Sequence, residues 1–503
     1  MAVLPPDGEV SLNRSPSTRP HLVTVALLVG TFLAALELNV VGTAMPTLVA
    51  QLGGLELYGL VFSAYLLTST VTVPLYGRLA DIHGRKPVYL AAILLFLAGS
   101  ALCGAAPSMV MLIAFRAVQG LGAGGLIPIT ITLFGDLFPA ERRALMQGLF
   151  STVWGVSSVL GPLVGGFIVT YISWRWVFWL NLPVGILAAL LLALGFRERL
   201  ERREGVSKLD LPGTLLLVCG LVCLLLGLLQ IESGQGRWLL PGAGLLTALF
   251  LLQERRSPHP MLPLALLRHR AMAVTSLGGL ALGGLLFGMV TFIPLFVQGV
   301  LHGSPTRAGL ALVPLSVAWT LTTFACGPLS RRLGYRPLVV LGGLCCLGGT
   351  AALLTLPRWP DDLLRHMSMV SIGIGMGLTI TTTTIAVQDE MPWSRRGVAT
   401  ALIQFSRTIG GMVSATLLGA LVTAGFSRGL GADPRRGSEL LDPARWATFS
   451  QATLREASLA LARAMVPAFW AMAGMGLAVL LVGLAFPPLR VSTGRTEAAD
   501  AHE

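Results

Sequence analysis

Residues 77–87 read Gly-Arg-Leu-Ala-Asp-Ile-His-Gly-Arg-Lys-Pro, a short charged loop between two long apolar runs. At 327–337, 250 positions on, the chain reads Gly-Pro-Leu-Ser-Arg-Arg-Leu-Gly-Tyr-Arg-Pro, again between apolar runs. Gly77 aligns with Gly327, Leu79 with Leu329, Gly84 with Gly334, Lys86 with Arg336 and Pro87 with Pro337. Halves that repeat one basic hinge between apolar runs of spanning length read as a two-domain membrane transporter.

The bulk numbers agree with that class. Of 503 residues, 54% are hydrophobic and only 12% charged, about half the charge of an average soluble chain, and mean hydropathy is +0.75. Fourteen candidate spans fall near 22–45, 56–77, 88–106, 109–133, 145–170, 176–196, 211–231, 238–253, 271–296, 308–328, 338–356, 367–388, 398–424 and 466–486. Each is close to the roughly 20 residues that cross a bilayer as helix. The fold class expected is therefore all-α integral membrane. An even span number puts both termini on one side, together with the 77–87 loop and most Lys and Arg, and the positive-inside rule makes that side cytoplasmic. The net charge of +12 is then an orientation signal, and nucleic acid is not an expected partner. No cleavable leader is visible in the polar first residues. The six cysteines lie in apolar runs and read as small hydrophobes, not disulfides or metal ligands.

The domains expected are a tail over 1–21, a six-helix bundle over 22–197, a linker with two extra spans over 198–270, a second six-helix bundle over 271–487 and a tail over 488–503. Residues 425–465 read as an external loop. The charged flanks of the linker suit cytoplasmic segments with amphipathic helix on the membrane surface.

Several residues carry chemistry. In the hinge, Gly77 and Gly84 would let backbone pack tightly at a helix end. Asp81 would pair with Arg85, Lys86 or a helix N-terminus and latch the halves on the cytoplasmic side. Arg116, deep in span four, is too costly to face lipid and must turn into the bundle. Gln119 follows it, and Gly120 and Gly124 share its face in a small-xxx-small pattern that permits close helix approach. Span five carries Gly148, Ser157, Gly161, Pro162, Gly165 and Gly166, where proline removes a donor and the glycines thin the helix. Glu37 is the only carboxylate deep in a predicted span, on a stripe with Gly30, Ala34, Val41 and Ala44. Burial penalises its charged form, which suits a group that must gain and lose a proton. A structural role, neutralising Arg116 or Arg407, fits as well. Asn39, Gln119, Thr381, Gln404 and Arg407 are candidates for lining a central cavity.

The 77–87 string resembles the signature loop between spans two and three of the major facilitator superfamily, although the second copy places Arg331 where the first has Asp81. Arg116 with Gln119 resembles the superfamily's fourth-span motif, which implies proton transfer. The span-five pattern is similar to the motif that marks antiporters, with Ser157 in place of one glycine, and implies export. The segment around Glu37 resembles the first-span motif of the fourteen-helix drug:proton antiporter branch, which has Asp, Thr and Asn where this chain has Glu37, Asn39 and Gly42. The string Trp174-Arg-Trp176-Val-Phe178 followed by Asn181, Pro183 and Gly185, and the run from Arg396 to Gly411, look like the same branch.

That resemblance implies a bacterial inner-membrane exporter made of two six-helix bundles plus two inserted helices, working by rocker-switch alternating access. Glu37 and Arg116 would couple protons, and Asp81, Arg85 and Lys86 would gate the cytoplasmic face. Substrates would be hydrophobic or amphipathic, often cationic compounds, and the energy source a proton gradient rather than a cofactor. Other partners would be membrane lipid and, as an open option, a periplasmic adaptor protein. A dedicated exporter of one metabolite would use the same fold. An intramembrane hydrolase fits poorly, because all seven histidines lie at span ends, loops or tails. A non-transporting receptor would not need the buried acid and cations.

Overall fold

The computed structural model describes residues 19–138, 140–198, 210–230, 236–257, 264–357, 361–391, 393–430 and 450–489. They form α1 (Pro20–Leu52), α2 (Tyr58–His83), α3 (Arg85–Gly104), α4 (Met109–Leu137), α5 (Ala140–Tyr171), the short α6 (Arg175–Trp179) and α7 (Asn181–Gly195). A hairpin of α8 (Leu211–Leu229) and α9 (Gly236–Arg256) follows. The second half comprises α10 (Arg270–Gly299), α11 (Pro305–Leu333), α12 (Tyr335–Leu353), α13 (Asp362–Glu390), α14 (Trp393–Leu430) and α15 (Gln451–Ala485). Counting α6 with α7 as one crossing, these are the fourteen spans expected. Among the described residues, thirteen are long and apolar enough to cross a membrane. The remaining one, α9, has the length, but Arg237 and the run Glu254–Arg256 charge both its ends.

Two readings change. The hinge is not a loop: α2 runs to His83, α3 starts at Arg85, and Gly84 alone connects them with φ 91°. That left-handed conformation suits glycine, and Gly334 repeats it at φ 80° between α11 and α12. The external loop is also shorter than 425–465, because α14 extends to Leu430 and α15 begins at Gln451. The tails, most of the linker flanks and the centre of that loop lie outside the described residues.

Close helix approach comes from glycine. A Cβ on Gly120 would lie 2.4 Å from the Tyr65 carbonyl oxygen, and one on Gly124 2.4 Å from that of Ser69, so α4 is pressed onto α2. On the other side of α4, a Cβ on Gly122 would meet the Phe96 backbone nitrogen of α3 at 2.2 Å. The inserted hairpin is pinned at its base: Asp210 accepts from the Gly213 N–H at 2.8 Å as N-cap of α8 and from Gln253 Nε2 of α9 at 3.2 Å. Asp210→Ala is expected to cost about 1 kcal/mol, measurable as a lower thermal midpoint in detergent.

Among the described residues, the hydrogen bonds between the two halves gather toward one end, and the α5–α11 contact continues to mid-helix, where a Cβ on Gly155 would meet Thr320 Cγ2 at 2.9 Å. At the face opposite Gly84 and Gly334, Gln298 Nε2 donates to the Thr43 carbonyl at 3.1 Å, and Tyr58 Oη to that of Thr291 at 2.8 Å. Ser63 Oγ lies 2.7 Å from Thr416 Oγ1, and Thr170 Oγ1 lies 2.9 Å from Thr306 Oγ1. Backbones touch there too: Cβ atoms on Gly59 and Gly309 would fall 2.2 Å from the Ala415 oxygen and 2.1 Å from the Pro162 oxygen. Toward the Gly84 face, the helices diverge. On α14, Met412 and Thr416 engage Ser63, whereas lower on the same ridge Thr408 is half-buried and Gln404 exposed. On α2, Leu67 and Thr70 are still buried, but Gly77 is exposed. The molecule is closed at one face and open at the other.

Candidate functional site

The close α2–α3–α4 packing delivers Arg116 into the middle of the first bundle. Its guanidinium is 1% exposed and sits 4.2 Å from the Tyr65 ring centroid, a cation–π contact. Nε donates to the Val61 carbonyl at 3.3 Å, and Nη1 donates to Gln119 Oε1 at 2.7 Å and to Glu37 Oε1. Glu37 is equally buried, and its second oxygen accepts from Asn181 Nδ2 at 2.5 Å. Asn181 and Gln119 also donate to Ser100 Oγ at 2.9 and 3.1 Å, and Ser100 in turn donates to the Phe178 carbonyl at 2.8 Å. Cys103 Sγ donates to Gln119 Oε1 at 3.6 Å.

This network takes side chains from α1, α3, α4 and the start of α7. Ser100 uses one donor and two acceptor positions, and each Glu37 oxygen has a donor. Breaking a buried pair of this kind by removing one partner costs about 3–5 kcal/mol. Every side chain hydrogen-bonded to Glu37 donates to it. A proton on Glu37 would face donors only, and the ties of α1 to α4 and α7 would have to change.

Sequence reasoning found Glu37, Arg116 and Gln119 but gave no role to Ser100, Asn181 or Tyr65. Asn181 was visible within the Trp-Arg-Trp string, where nothing in the spacing says it points at α1. Gln119 was expected in a cavity. It is instead fully buried in the network, because its helix face is the one the glycines press against α2 and α3.

The hinge residues are placed differently from expectation. A Cβ on Gly77 would meet nothing within 4 Å, so Gly77 is not a tight-packing position. In this structure, open at that face, Lys86 Nζ donates to the Ala193 carbonyl at 2.7 Å and to that of Phe196, at the end of α7 in its own half. Glu198 accepts from the backbone N–H groups of Arg85 and Lys86 at 2.7 and 2.9 Å, which caps α3. The side chain of Asp81 lies outside the described residues. In the second half, Arg336 donates to the Leu484 carbonyl at the end of α15 at 2.9 Å, repeating the role of Lys86 in three dimensions. Glu198→Ala should cost about 1–2 kcal/mol through the lost cap, read as a lower thermal midpoint in detergent.

The Major Facilitator Superfamily profile matches residues 27–415. The chain belongs to that superfamily. It is 37% identical to the multidrug transporter protein MdtP of Bacillus subtilis (strain 168), over 83% of this chain and 77% of that one. It is 33% identical to multidrug resistance protein 3 of the same organism, over 81% and 80%. Among solved structures, a bacterial homologue of the human lysosomal transporter Spinster, inward-facing and unoccupied, superposes with TM-score 0.69 at 18% identity, covering 96% of this chain and all of that one. A D-xylose-proton symporter gives 0.62 at 15% identity, covering 95% and 99%.

As a member of the superfamily, the chain is a multi-pass transporter, and its remaining candidate residues fall where the halves join or part. In α5, Gly161 and Gly165 face Asn39 and Thr43 of α1, while Gly166 faces Pro305 and Thr306 of α11. Pro162 and these glycines thus wedge α5 between α1 and α11 at the closed face. Ser157 is fully buried, and Gly148 lies on α5 outside the described side chains. Asn39 is half-buried and donates to the Ala35 carbonyl at 2.9 Å. Thr381 donates to Thr323 Oγ1 at 3.2 Å, joining α13 to α11. Gln404 is exposed and Arg407 half-buried on α14. Trp174 is buried and donates to Gln51 Oε1 near the end of α1 at 2.8 Å.

Proposed function

We propose that this protein is a proton-coupled antiporter of the fourteen-helix drug:proton branch, exporting hydrophobic or amphipathic compounds by rocker-switch alternating access. The observation that carries the reading is the buried Glu37–Arg116 pair, wired by Asn181 to α7. Both hydrogen-bonded neighbours of Glu37 donate to it, so a proton gained there would require a rearrangement across α1, α4 and α7. The helices that would have to move are those that meet the second half: α1 reaches α10 through Thr43 and Gln298.

With the basic face taken as cytoplasmic, the open space between the halves admits substrate from the cytoplasm or inner leaflet. Substrate binding precedes closure of that face. Opening of the opposite face would expose Glu37 to an acidic exterior. Protonation then weakens its hold on Arg116 and Asn181 and favours return to the inward state, where the proton leaves. The relatives named as multidrug transporters support efflux as the direction of transport.

Inverted membrane vesicles test this. Acidifying the lumen should drive uptake of a panel of amphipathic dyes, and an uncoupler should release them. Uptake that ignores the pH gradient, with substrate moving only down its own gradient, would remove proton coupling from the reading.

A further inference from the structure

Two rings flank the Arg116 guanidinium. The Tyr65 centroid lies 4.2 Å from it and that of Phe178 5.9 Å, the latter at the limit of a useful cation–π contact. Tyr65 is buried, and its backbone is pressed on α4, where a Cβ on Gly120 would come 3.0 Å from the Tyr65 Cα. One turn earlier on α2, the Val61 carbonyl accepts from Arg116 Nε at 3.3 Å. Val61 and Tyr65 are four residues apart and share a helix face. Thus α2 holds the guanidinium at two points, and neither carries a charge.

The same stretch of α2 carries the contact with the second half. Gly59 and Ser63 are each two residues from a member of that pair, about 200° round the helix and so on its opposite side. A Cβ on Gly59 would fall 2.2 Å from the Ala415 oxygen, and Ser63 Oγ donates to the Met412 carbonyl at 2.9 Å beside Thr416. About two turns of α2 are therefore clasped between Arg116 on one side and α14 on the other. Among the described residues, the titratable groups at this point are Glu37 from α1, Tyr65 from α2, Cys103 from α3 and Arg116 from α4. Phe178 and Asn181 add none.

We propose that Tyr65 is a positioning residue for energy coupling: its ring keeps Arg116 when Glu37 takes up a proton, so that the hold on the guanidinium passes from α1 to α2. This deepens the antiport reading and rests on it. A buried guanidinium that loses its counter-ion is costly unless another attractor stands by. The negative face of an aromatic ring is such an attractor, and it needs no proton of its own. The ring then contributes more to the protonated state than to the paired one, and so raises the affinity of Glu37 for a proton. Because α2 meets α14 on its other side, a guanidinium seated on α2 favours the closed face, in keeping with protonation returning the exporter to its inward state.

The test replaces Tyr65 in the full-length protein by phenylalanine, as reference, and by phenylalanines carrying one, two or three ring fluorines. These keep the shape of the ring and withdraw its negative face step by step. Uptake of an amphipathic dye into inverted vesicles is measured against luminal pH, and the thermal midpoint in detergent reports folding. A weaker ring makes protonation of Glu37 less favourable, so more acid is needed to drive transport. Half-maximal drive should move to lower luminal pH in steps, by about one pH unit with three fluorines. The same series at Phe178 should move it little, since that ring is more distant. A profile indifferent to fluorine at Tyr65, or an equal shift from Phe178, overturns the proposal and leaves proton coupling standing. Wild-type uptake that ignores luminal pH sinks the antiport reading, and the role of Tyr65 with it.

Discussion

Glu37→Gln is expected to reach the membrane folded and to lose pH-gradient-driven transport down to the level of empty vesicles. Gradient-independent exchange of substrate should continue. Glutamine fills the same space and keeps one oxygen to accept from Arg116, but its amide nitrogen must face Asn181 Nδ2, which donates to the native carboxylate at 2.5 Å. Losing one hydrogen bond to a charged group costs about 1.5–3 kcal/mol, and Arg116 also loses its counter-ion. The thermal midpoint in detergent should therefore fall. Adding Arg116→Gln removes the unpaired charge, and the double variant should recover part of that loss, since deleting both partners of a buried pair is milder than deleting one. Transport would stay uncoupled in both. Undiminished pH-driven flux in Glu37→Gln would remove this carboxylate from energy conversion, whatever its structural worth.

What the sequence made legible was whatever carries a strong local signature. Apolar runs of spanning length returned as helices, including span eight, which folds as α9 against α8. The repeated Gly84 and Gly334 predicted paired hinges, and both adopt positive φ. A lone carboxylate and a lone guanidinium in apolar surroundings have few options, so their presence inside the bundle followed from cost alone, although Arg407 stood as an equal candidate partner for Glu37 until the fold brought α1 beside α4. What stayed hidden depends on contacts between distant segments. Ser100 and Asn181 are ordinary polar residues whose role exists only because α3 and α7 meet at the same height. Glu198 sits in a run of charged residues, and nothing local separates the one that caps α3 from its neighbours. The contact that Lys86 makes in this open-faced structure was hidden for a related reason. Lys86 was read against residues near it in sequence, whereas the acceptors it finds are the free carbonyls at the end of α7. Helix C-termini always expose such carbonyls, but which cation answers them is a matter of tertiary placement.

The second large effect concerns the closed face. Ser63 on α2 and Thr416 on α14 place their hydroxyl oxygens 2.7 Å apart, in different halves of the molecule. Ser63→Cys combined with Thr416→Cys, in a chain whose six native cysteines have been replaced, puts two thiols where a bond of about 2.05 Å is within reach of small side-chain adjustments. Oxidation should fasten the halves at that face. If transport requires them to part there, the oxidised protein will bind substrate from the open side and carry none across, and a reductant will restore flux to that of the unoxidised protein. Each single-cysteine variant should be indifferent to oxidant. The contrast between retained binding and lost flux matters because it separates a blocked conformational change from a damaged site. The lock adds no charge, and the cysteine-free parent already lacks the Cys103–Gln119 hydrogen bond, so a loss of flux that appears only on oxidation cannot be laid to altered proton chemistry. Full transport with the disulfide quantitatively formed would mean that substrate leaves by another path than between α2 and α14, and the two-sided opening proposed for this exporter would have to be abandoned.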